Sequence, residues 1–214
     1  MKPLVIVRPE PGASRSAAQA QELGLEVVRM PLFAVVPTDW QAPDPRDFDA
    51  IVLTSANAVR HGGEELSKLK ALPVHAVGQA TAAIASAVGF TVESVGNGGS
   101  AAMNLPFGER LLHLTGRDHR DIAGTTAIAV YEARELDSPG VEQLHDCVIA
   151  VHSPRAGARL AELVQDRLHI AIAAISPEAA RACGSGWRTI SAAVEPNDNA
   201  LLALAARLCE GRDA

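Results

Sequence analysis

Hydroxyl-bearing residues recur in this sequence where short apolar runs end, and their chemistry suits the binding of an anion. Thr54-Ser55, Thr115 and Ser153 each follow such a run directly. Ser and Thr are favoured N-caps, so these positions predict breaks from a strand into a helix. A helix N-terminus offers free backbone N–H groups and a partial positive charge, which favour a carboxylate or phosphate. Capping alone would also explain Ser55 and Ser153.

The same arrangement occurs twice. Ser55 and Ser153 each follow an apolar run. The next apolar run ends at Gly78 after Ser55 and at Ser176 after Ser153, and the two spacings are equal. Equal spacing of this kind predicts one βαβ layout used twice. For a chain of 214 residues, two domains of about 100 residues each are favoured.

Apolar runs alternate with helical patterns along nearly the whole chain. The runs at 50–53 and 147–151 contain no polar residue and are typical of strands buried on both faces. The alternation predicts an α/β fold with parallel sheets covered by helices. In such sheets ligands bind at the carboxyl ends of the strands, where the hydroxyls listed above fall.

Some segments carry weaker patterns. We expect helices at 56–69 and 118–123, and a short helix at 101–105 after the glycine-rich loop at 96–100. Two segments are interpreted as connectors rather than further βα units. They are Pro31–Pro37, which is apolar and bounded by prolines, and Tyr131–Pro139, which is mostly polar.

Known cofactor motifs are missing from the sequence. RPEPGAS follows the first predicted strand, where dinucleotide binding needs GxGxxG, and neither GxxxxGK[ST] nor GxSxG occurs. The three Cys and seven His have no metal-ligand spacing. His113 and His119 flank the TGR turn and are interpreted as core or surface residues. We expect no cofactor and no metal.

The composition of the chain limits the classes of partner that it is expected to bind. A net charge of −6 and 3% aromatic residues argue against nucleic acid. No apolar run approaches the roughly 18–20 residues of a membrane span, and no signal peptide is recognised, so a cytoplasmic monomer is expected.

Several arginines fall near predicted strand ends, namely Arg8, Arg60, Arg117 and Arg155. Arg suits bidentate carboxylate binding there. A GC-biased genome also explains the excess of Arg. We expect a site that holds a large polycarboxylate in shape.

An ordered set of motifs resembles the uroporphyrinogen-III synthase family along almost the whole chain. The motifs are RPEPG, FDAIVLTSANAVR, VHAVGQATA followed by GF, LLHLTGR, VYEA, VHSPR and ISPEAARA. The resemblance implies two similar flavodoxin-like parallel-sheet domains, joined by a two-stranded linker, with the cleft between them. It places one domain at 1–33 with 134–214 and the other at 37–130.

The resemblance also implies a function in haem biosynthesis. The family is a cyclising lyase that needs no cofactor and converts the linear tetrapyrrole hydroxymethylbilane, an acid with eight carboxylates, to uroporphyrinogen III. Water leaves the hydroxymethyl group, ring D is inverted through a spiro intermediate, and the macrocycle closes. The substrate would be handed over by hydroxymethylbilane synthase. A non-catalytic two-domain protein that binds an anionic metabolite or a tetrapyrrole is the alternative.

Residue roles follow from the same resemblance. Tyr131 matches the family's linker tyrosine, which implies a general acid, while packing in the ladder is the alternative role. The expected substrate-binding residues share positions at strand ends. They are Arg8, Thr54, Ser55, Asn57, Gly78, Thr81, Thr115, Gly116, Arg117, Ser153, Pro154 and Ser176. The turn at Ser176 departs from many relatives, which carry hydroxyls at two or more positions there. Glu178 is expected to point away from a carboxylate site.

Overall fold

The computed structural model describes residues 1–96, 105–106, 108–137 and 140–211. The chain divides into two compact units: unit 1 comprises Met1–Ala34 and Glu135–Ala214, and unit 2 comprises Val35–Arg134. Unit 1 is therefore built from both ends of the chain. Most of the predicted loop at 96–100 and helix at 101–105 lies outside the described residues.

The two units contain eleven strands and six α-helices within the described ranges. The strands are β1 (Leu4–Ile6), β2 (Val27–Arg29), β3 (Phe33–Pro37), β4 (Ala50–Leu53), β5 (Val74–Ala76), β6 (Val92–Val95), β7 (Leu111–Gly116), β8 (Thr125–Glu135), β9 (Val148–Val151), β10 (Ala171–Ala174) and β11 (Thr189–Ala192). The helices are α1 (Gly12–Glu22), α2 (Ala56–His61), α3 (Gln79–Ala87), α4 (Pro154–Leu163), α5 (Pro177–Ala182) and α6 (Asp198–Cys209).

Unit 1 is organised around a five-stranded sheet in the order β2-β1-β9-β10-β11, and every pair in it is parallel. The continuously apolar runs form its central strands, whose side chains are buried. Leu4, Ile6 and Val148 pack with Leu201 and Leu204 of α6 in the core of this unit. Burial on both sides is what an unbroken apolar strand requires.

The second sheet has six strands in the order β3-β8-β7-β4-β5-β6. The pairs from β8 through β6 are parallel. Its core joins Ile51, Leu53, Leu112 and Leu114 with Val130. The predicted α/β class with parallel sheets is thus confirmed. The apolar run before Ser55 forms β4, which lies beside β5. The apolar run before Ser153 forms β9, which lies beside β10.

The predicted helix over 56–69 is wrong in its second half. Helix α2 stops at His61, and a 3-10 helix follows at Glu64–Leu69. Gly63 lies between them with a φ of +64°, which an α-helix cannot contain. A glycine adopts this conformation readily, so the Gly62-Gly63 pair ends the helix.

The predicted helix at 118–123 is also wrong. This stretch is a loop between β7 and β8, and Ile122 and Ala123 are its only apolar residues. So short a segment with so little to bury gains too little from packing to form a helix. In addition, β7 continues through Thr115 to Gly116, although the apolar run that predicts this strand ends before Thr115.

No helix in the described parts of the chain is long and apolar enough to cross a membrane.

Candidate functional site

A pocket of about 240 Å³ lies in unit 2 beside the carboxyl ends of β4 and β7. Its lining is mostly polar and comprises Thr54, Ser55, His113, Thr115, Gly116, Asp118, His119, Arg120 and Tyr131. Five of these are predicted site residues, brought together from three neighbouring strands. Three hydroxyls from Ser and Thr, one phenol and one guanidinium can together bind an acidic ligand through charge-assisted hydrogen bonds.

Tyr131 reaches the pocket because β8 contains an irregularity. Thr115 is aligned with Ala129, but the next residue, Gly116, is aligned with Tyr131, so Val130 is skipped. A bulge of this kind re-aims a side chain. The ring of Tyr131 then lies against Gly116, where a Cβ atom would be only 2.6 Å from the ring carbon Cε2. The glycine is needed for this close approach.

The end of β4 contributes two hydroxyls with different tasks. Ser55 is the N-cap of α2, and its Oγ accepts a hydrogen bond from the backbone N–H of Asn57 at 3.1 Å. Its own O–H hydrogen is not used by that bond. Thr54 precedes it, and its Oγ1 lies 3.0 Å from Nε2 of His113. The capping role of Ser55 is therefore compatible with donation to a ligand.

Two histidines of the pocket lining contact each other edge to face. The ring centroids of His113 and His119 are 5.8 Å apart, with the planes nearly perpendicular. His113 is only 1% exposed. Burial, together with the neighbouring His119, lowers the pKa of His113 to about 4. Nδ1 of His119 lies 3.0 Å from the carbonyl oxygen of Gly116, so this nitrogen must carry the proton that it donates.

Four lining residues were not among the predicted site residues. They are His113, Asp118, His119 and Arg120. The sequence did contain one signal, because both histidines flank the TGR turn, but a lone histidine is ordinary in a core strand. The loop that brings Asp118 and Arg120 to the pocket was predicted as a helix, and this hid their position.

The other predicted residues of unit 2 do not line this pocket. Arg117 pairs with Glu132 at 2.9 Å. Asn57 accepts a hydrogen bond from Arg60 at 3.1 Å. Gly78 is the N-cap of α3, and Thr81 is buried one turn further along.

In unit 1 the predicted serines are also N-caps. Oγ of Ser153 accepts from the N–H of Ala156 at 3.1 Å, and Oγ of Ser176 accepts from the N–H of Ala179 at 3.3 Å. Pro154 occupies the first turn of α4, where its missing N–H costs nothing. The exposed Glu178 pairs with Arg181.

Arg8 belongs to a polar network behind the strand ends of unit 1. Its Nη1 donates to Ser16 Oγ at 3.1 Å and to Asp198 Oδ2 at 3.3 Å. Ser16 donates to the same carboxylate oxygen at 2.6 Å, and His152 Nε2 donates to Oδ1 at 2.9 Å. Burial raises the pKa of Asp198, but the hydrogen bonds from His152 and Ser16 and the charge of Arg8 outweigh it and hold the pKa at about 2.

Among the described residues, no group of three His, Cys, Asp or Glu is arranged to hold a metal ion.

Comparison with known proteins gives one family. Residues 14–203 match the family described as Uroporphyrinogen-III synthase HemD. No curated protein matches the sequence significantly. The fold is similar to the crystal structure of uroporphyrinogen-III synthetase from Helicobacter pylori, with a TM-score of 0.67 at 18% identity, over 97% of this chain and 100% of that one. A mutant uroporphyrinogen III synthase from Thermus thermophilus gives a TM-score of 0.50 at 15% identity, over 99% of this chain and 100% of that one.

Proposed function

The chain belongs to the uroporphyrinogen-III synthase family, and on that premise we propose that it closes hydroxymethylbilane to uroporphyrinogen III with inversion of ring D and loss of water. The observation that carries the proposal is the unit 2 pocket. There Thr54, Ser55, Thr115 and Tyr131 present hydroxyls, and Arg120 presents a positive charge. These groups suit the carboxylate arms of a linear tetrapyrrole, although Asp118 adds one carboxylate to the same lining.

We propose further that the two units are flavodoxin-like domains, at 1–33 with 134–214 and at 37–130, joined by a linker at about 31–37 and 131–139. The strand order of unit 1 supports this. Read in chain order, its strands follow the sequence 2-1-3-4-5 across the sheet, which is the flavodoxin order. In unit 2 the five strands β8-β7-β4-β5-β6 give the same order when counting starts at β7, which is a circular permutation, and β3 adds a sixth strand beside β8.

Substrate binding is proposed to be shared among many donors. In unit 1, Ser153 stands at a strand end with its O–H hydrogen unused by capping. Ser176 also stands at a strand end, where its side chain is hydrogen-bonded to Glu178. In unit 2, Gly78 stands at a strand end as the N-cap of α3, so backbone N–H groups at that helix start can donate to an anion. Carboxylates held by several weak contacts fix the shape of the linear substrate, which favours one closure over others.

Tyr131 is proposed as the general acid for the loss of water. In that step its phenol proton passes to the hydroxymethyl oxygen, the carbon–oxygen bond breaks with its electron pair on oxygen, and water leaves. The substrate carbon becomes an electron-poor methylene that ring D attacks. The close fit of the Tyr131 ring against Gly116 supports this role, because it fixes the direction of the phenol.

We also propose a cytoplasmic location, with the substrate supplied by hydroxymethylbilane synthase. The linear tetrapyrrole closes spontaneously to the type I isomer with ring D unflipped. A rapid hand-over would reduce the amount of substrate lost to that isomer.

The test is to add the protein to hydroxymethylbilane and identify the isomers after oxidation. The proposal predicts type III product at a rate proportional to protein concentration, and none with heat-denatured protein. Type I product alone, at the spontaneous rate, would contradict it and support the binding-protein alternative.

A further inference from the structure

His113 makes a side-chain hydrogen bond to a residue that lines the pocket. Its Nε2 lies 3.0 Å from Oγ1 of Thr54. The two residues come from neighbouring parallel strands, since β7 and β4 pair with His113 opposite Val52, and Thr54 follows β4. Thr54 is partly exposed and lines the pocket, whereas His113 is 1% exposed.

The other ring nitrogen of His113 is buried, and no hydrogen-bond partner for this Nδ1 lies among the residues the structure describes. His113 is neutral at physiological pH, because burial lowers its pKa to about 4. A neutral imidazole carries one N–H, so one ring nitrogen donates and the other can only accept. The position of that proton decides what Thr54 can do.

The two tautomers differ in which group is left without a partner. If the proton sits on Nδ1, a buried N–H donor has no acceptor. An unpaired buried donor is destabilising, because it loses its hydrogen bond to water and gains none in the protein. If the proton sits on Nε2, it is donated to Thr54 Oγ1 and Nδ1 is left as a bare acceptor. Among buried backbone groups, unpaired N–H donors are rarer than under-satisfied carbonyl acceptors, and we extend that preference to the ring of His113.

We propose that His113 is a positioning residue, which donates from Nε2 to Thr54 so that the hydroxyl hydrogen of Thr54 is directed at the acidic group of a ligand. The O–H hydrogen of Thr54 is then available to the ligand and is not spent on His113. This favours an acceptor such as a carboxylate at that place in the pocket. The inference rests on the proposed function for the identity of the ligand, while the proton position is a property of the free protein.

Ring-nitrogen NMR of the uniformly ¹⁵N-labelled protein tests the proton position directly. The His113 signals are assigned by their loss in His113→Gln. We expect a neutral ring with the proton on Nε2, unchanged between pH 8 and pH 6. A proton on Nδ1, or a charged ring in this range, would overturn the proposal. This readout does not depend on catalysis, so it remains decisive even if no type III product forms.

A double-mutant cycle then tests the route through Thr54. His113→Gln keeps a donor at about the position of Nε2, and His113→Met has similar length but no donor. We expect His113→Met to raise KM for hydroxymethylbilane about tenfold relative to His113→Gln, since a well-aimed donor to a charged group is worth about that much. In a Thr54→Val background, His113→Met and His113→Gln should have equal KM values. The same Met-to-Gln difference in both backgrounds would show a packing effect and refute the positioning role.

Discussion

The phenol of Tyr131 is placed by its neighbours rather than by its own sequence position. The skipped residue in β8 turns the ring toward β7, and Gly116 leaves room for it there. Around it, the hydroxyls of Thr54 and Ser55 are held by one hydrogen bond each. Each group is thus fixed in direction before a ligand arrives, and a fixed donor loses less entropy on binding.

Gly116→Ala is expected to impair catalysis by moving Tyr131. The added Cβ would lie 2.6 Å from Cε2 of the ring, so the ring must shift. We expect a kcat loss close to that of Tyr131→Phe and a fall of about 1–3 kcal/mol in the free energy of unfolding. In the Tyr131→Phe background, Gly116→Ala should reduce kcat little further. Full activity of Gly116→Ala would contradict this account of Tyr131.

Ser55 allows capping and ligand binding to be separated. Asn and Asp cap helices about as well as Ser, so Ser55→Asn and Ser55→Asp should both unfold at nearly the wild-type temperature. Only Asp places a negative charge in the pocket. We expect it to raise KM about tenfold above that of Ser55→Asn, through repulsion of substrate carboxylates. Equal KM values for the two variants would place the substrate elsewhere.

At the scale of elements, the sequence was most informative where local pattern and tertiary environment agree. The apolar runs of β4 and β9 and the serine caps after them were predictable, because burial and capping are encoded within a few residues. The loop at 118–123 was not, since its conformation is set by the two strands that it must join. His113 was interpreted as a core or surface residue, and nothing local indicated that its ring would contact Thr54.

The Arg8–Ser16–Asp198–His152 network should make unit 1 sensitive to acid. The folded pKa of Asp198, about 2, lies below its ordinary value of 3.8, so its contribution is full above pH 4 and is lost as pH falls toward 2. The shift corresponds to about 2 kcal/mol. Burial also lowers the pKa of His152. Protonation of His152 therefore favours the unfolded chain, and acidification lowers the free energy of unfolding through this residue too.

Asp198→Asn therefore should lower the free energy of unfolding by about 2 kcal/mol at pH 7. Its deficit should shrink as pH falls from about 4 toward 2, as measured by urea unfolding at each pH. Asp166 is exposed, so Asp166→Asn serves as the control and should match the wild type throughout. A deficit that does not depend on pH would mean that the Asp198 charge is not what stabilises the network.

For the whole molecule, charge predicts how salt acts on the reaction. The protein carries −6, and the proposed substrate is a polyanion, so their long-range interaction is repulsive. Salt screens this repulsion: the Debye length falls from about 30 Å at 0.01 M to about 8 Å at 0.15 M. We expect kcat/KM to rise about two- to fivefold over that range. A steep fall would show that a local basic site dominates the encounter.

The most direct test of the central claim is the isomer distribution formed by the variant Thr54→Val/Tyr131→Phe. These changes remove two pocket hydroxyls and keep the shape of the side chains, and circular dichroism and thermal unfolding establish whether the fold is retained. The account predicts type III product from the wild type, and from the folded variant only type I at close to the spontaneous rate. Type III formation by the folded variant at the wild-type rate would contradict it.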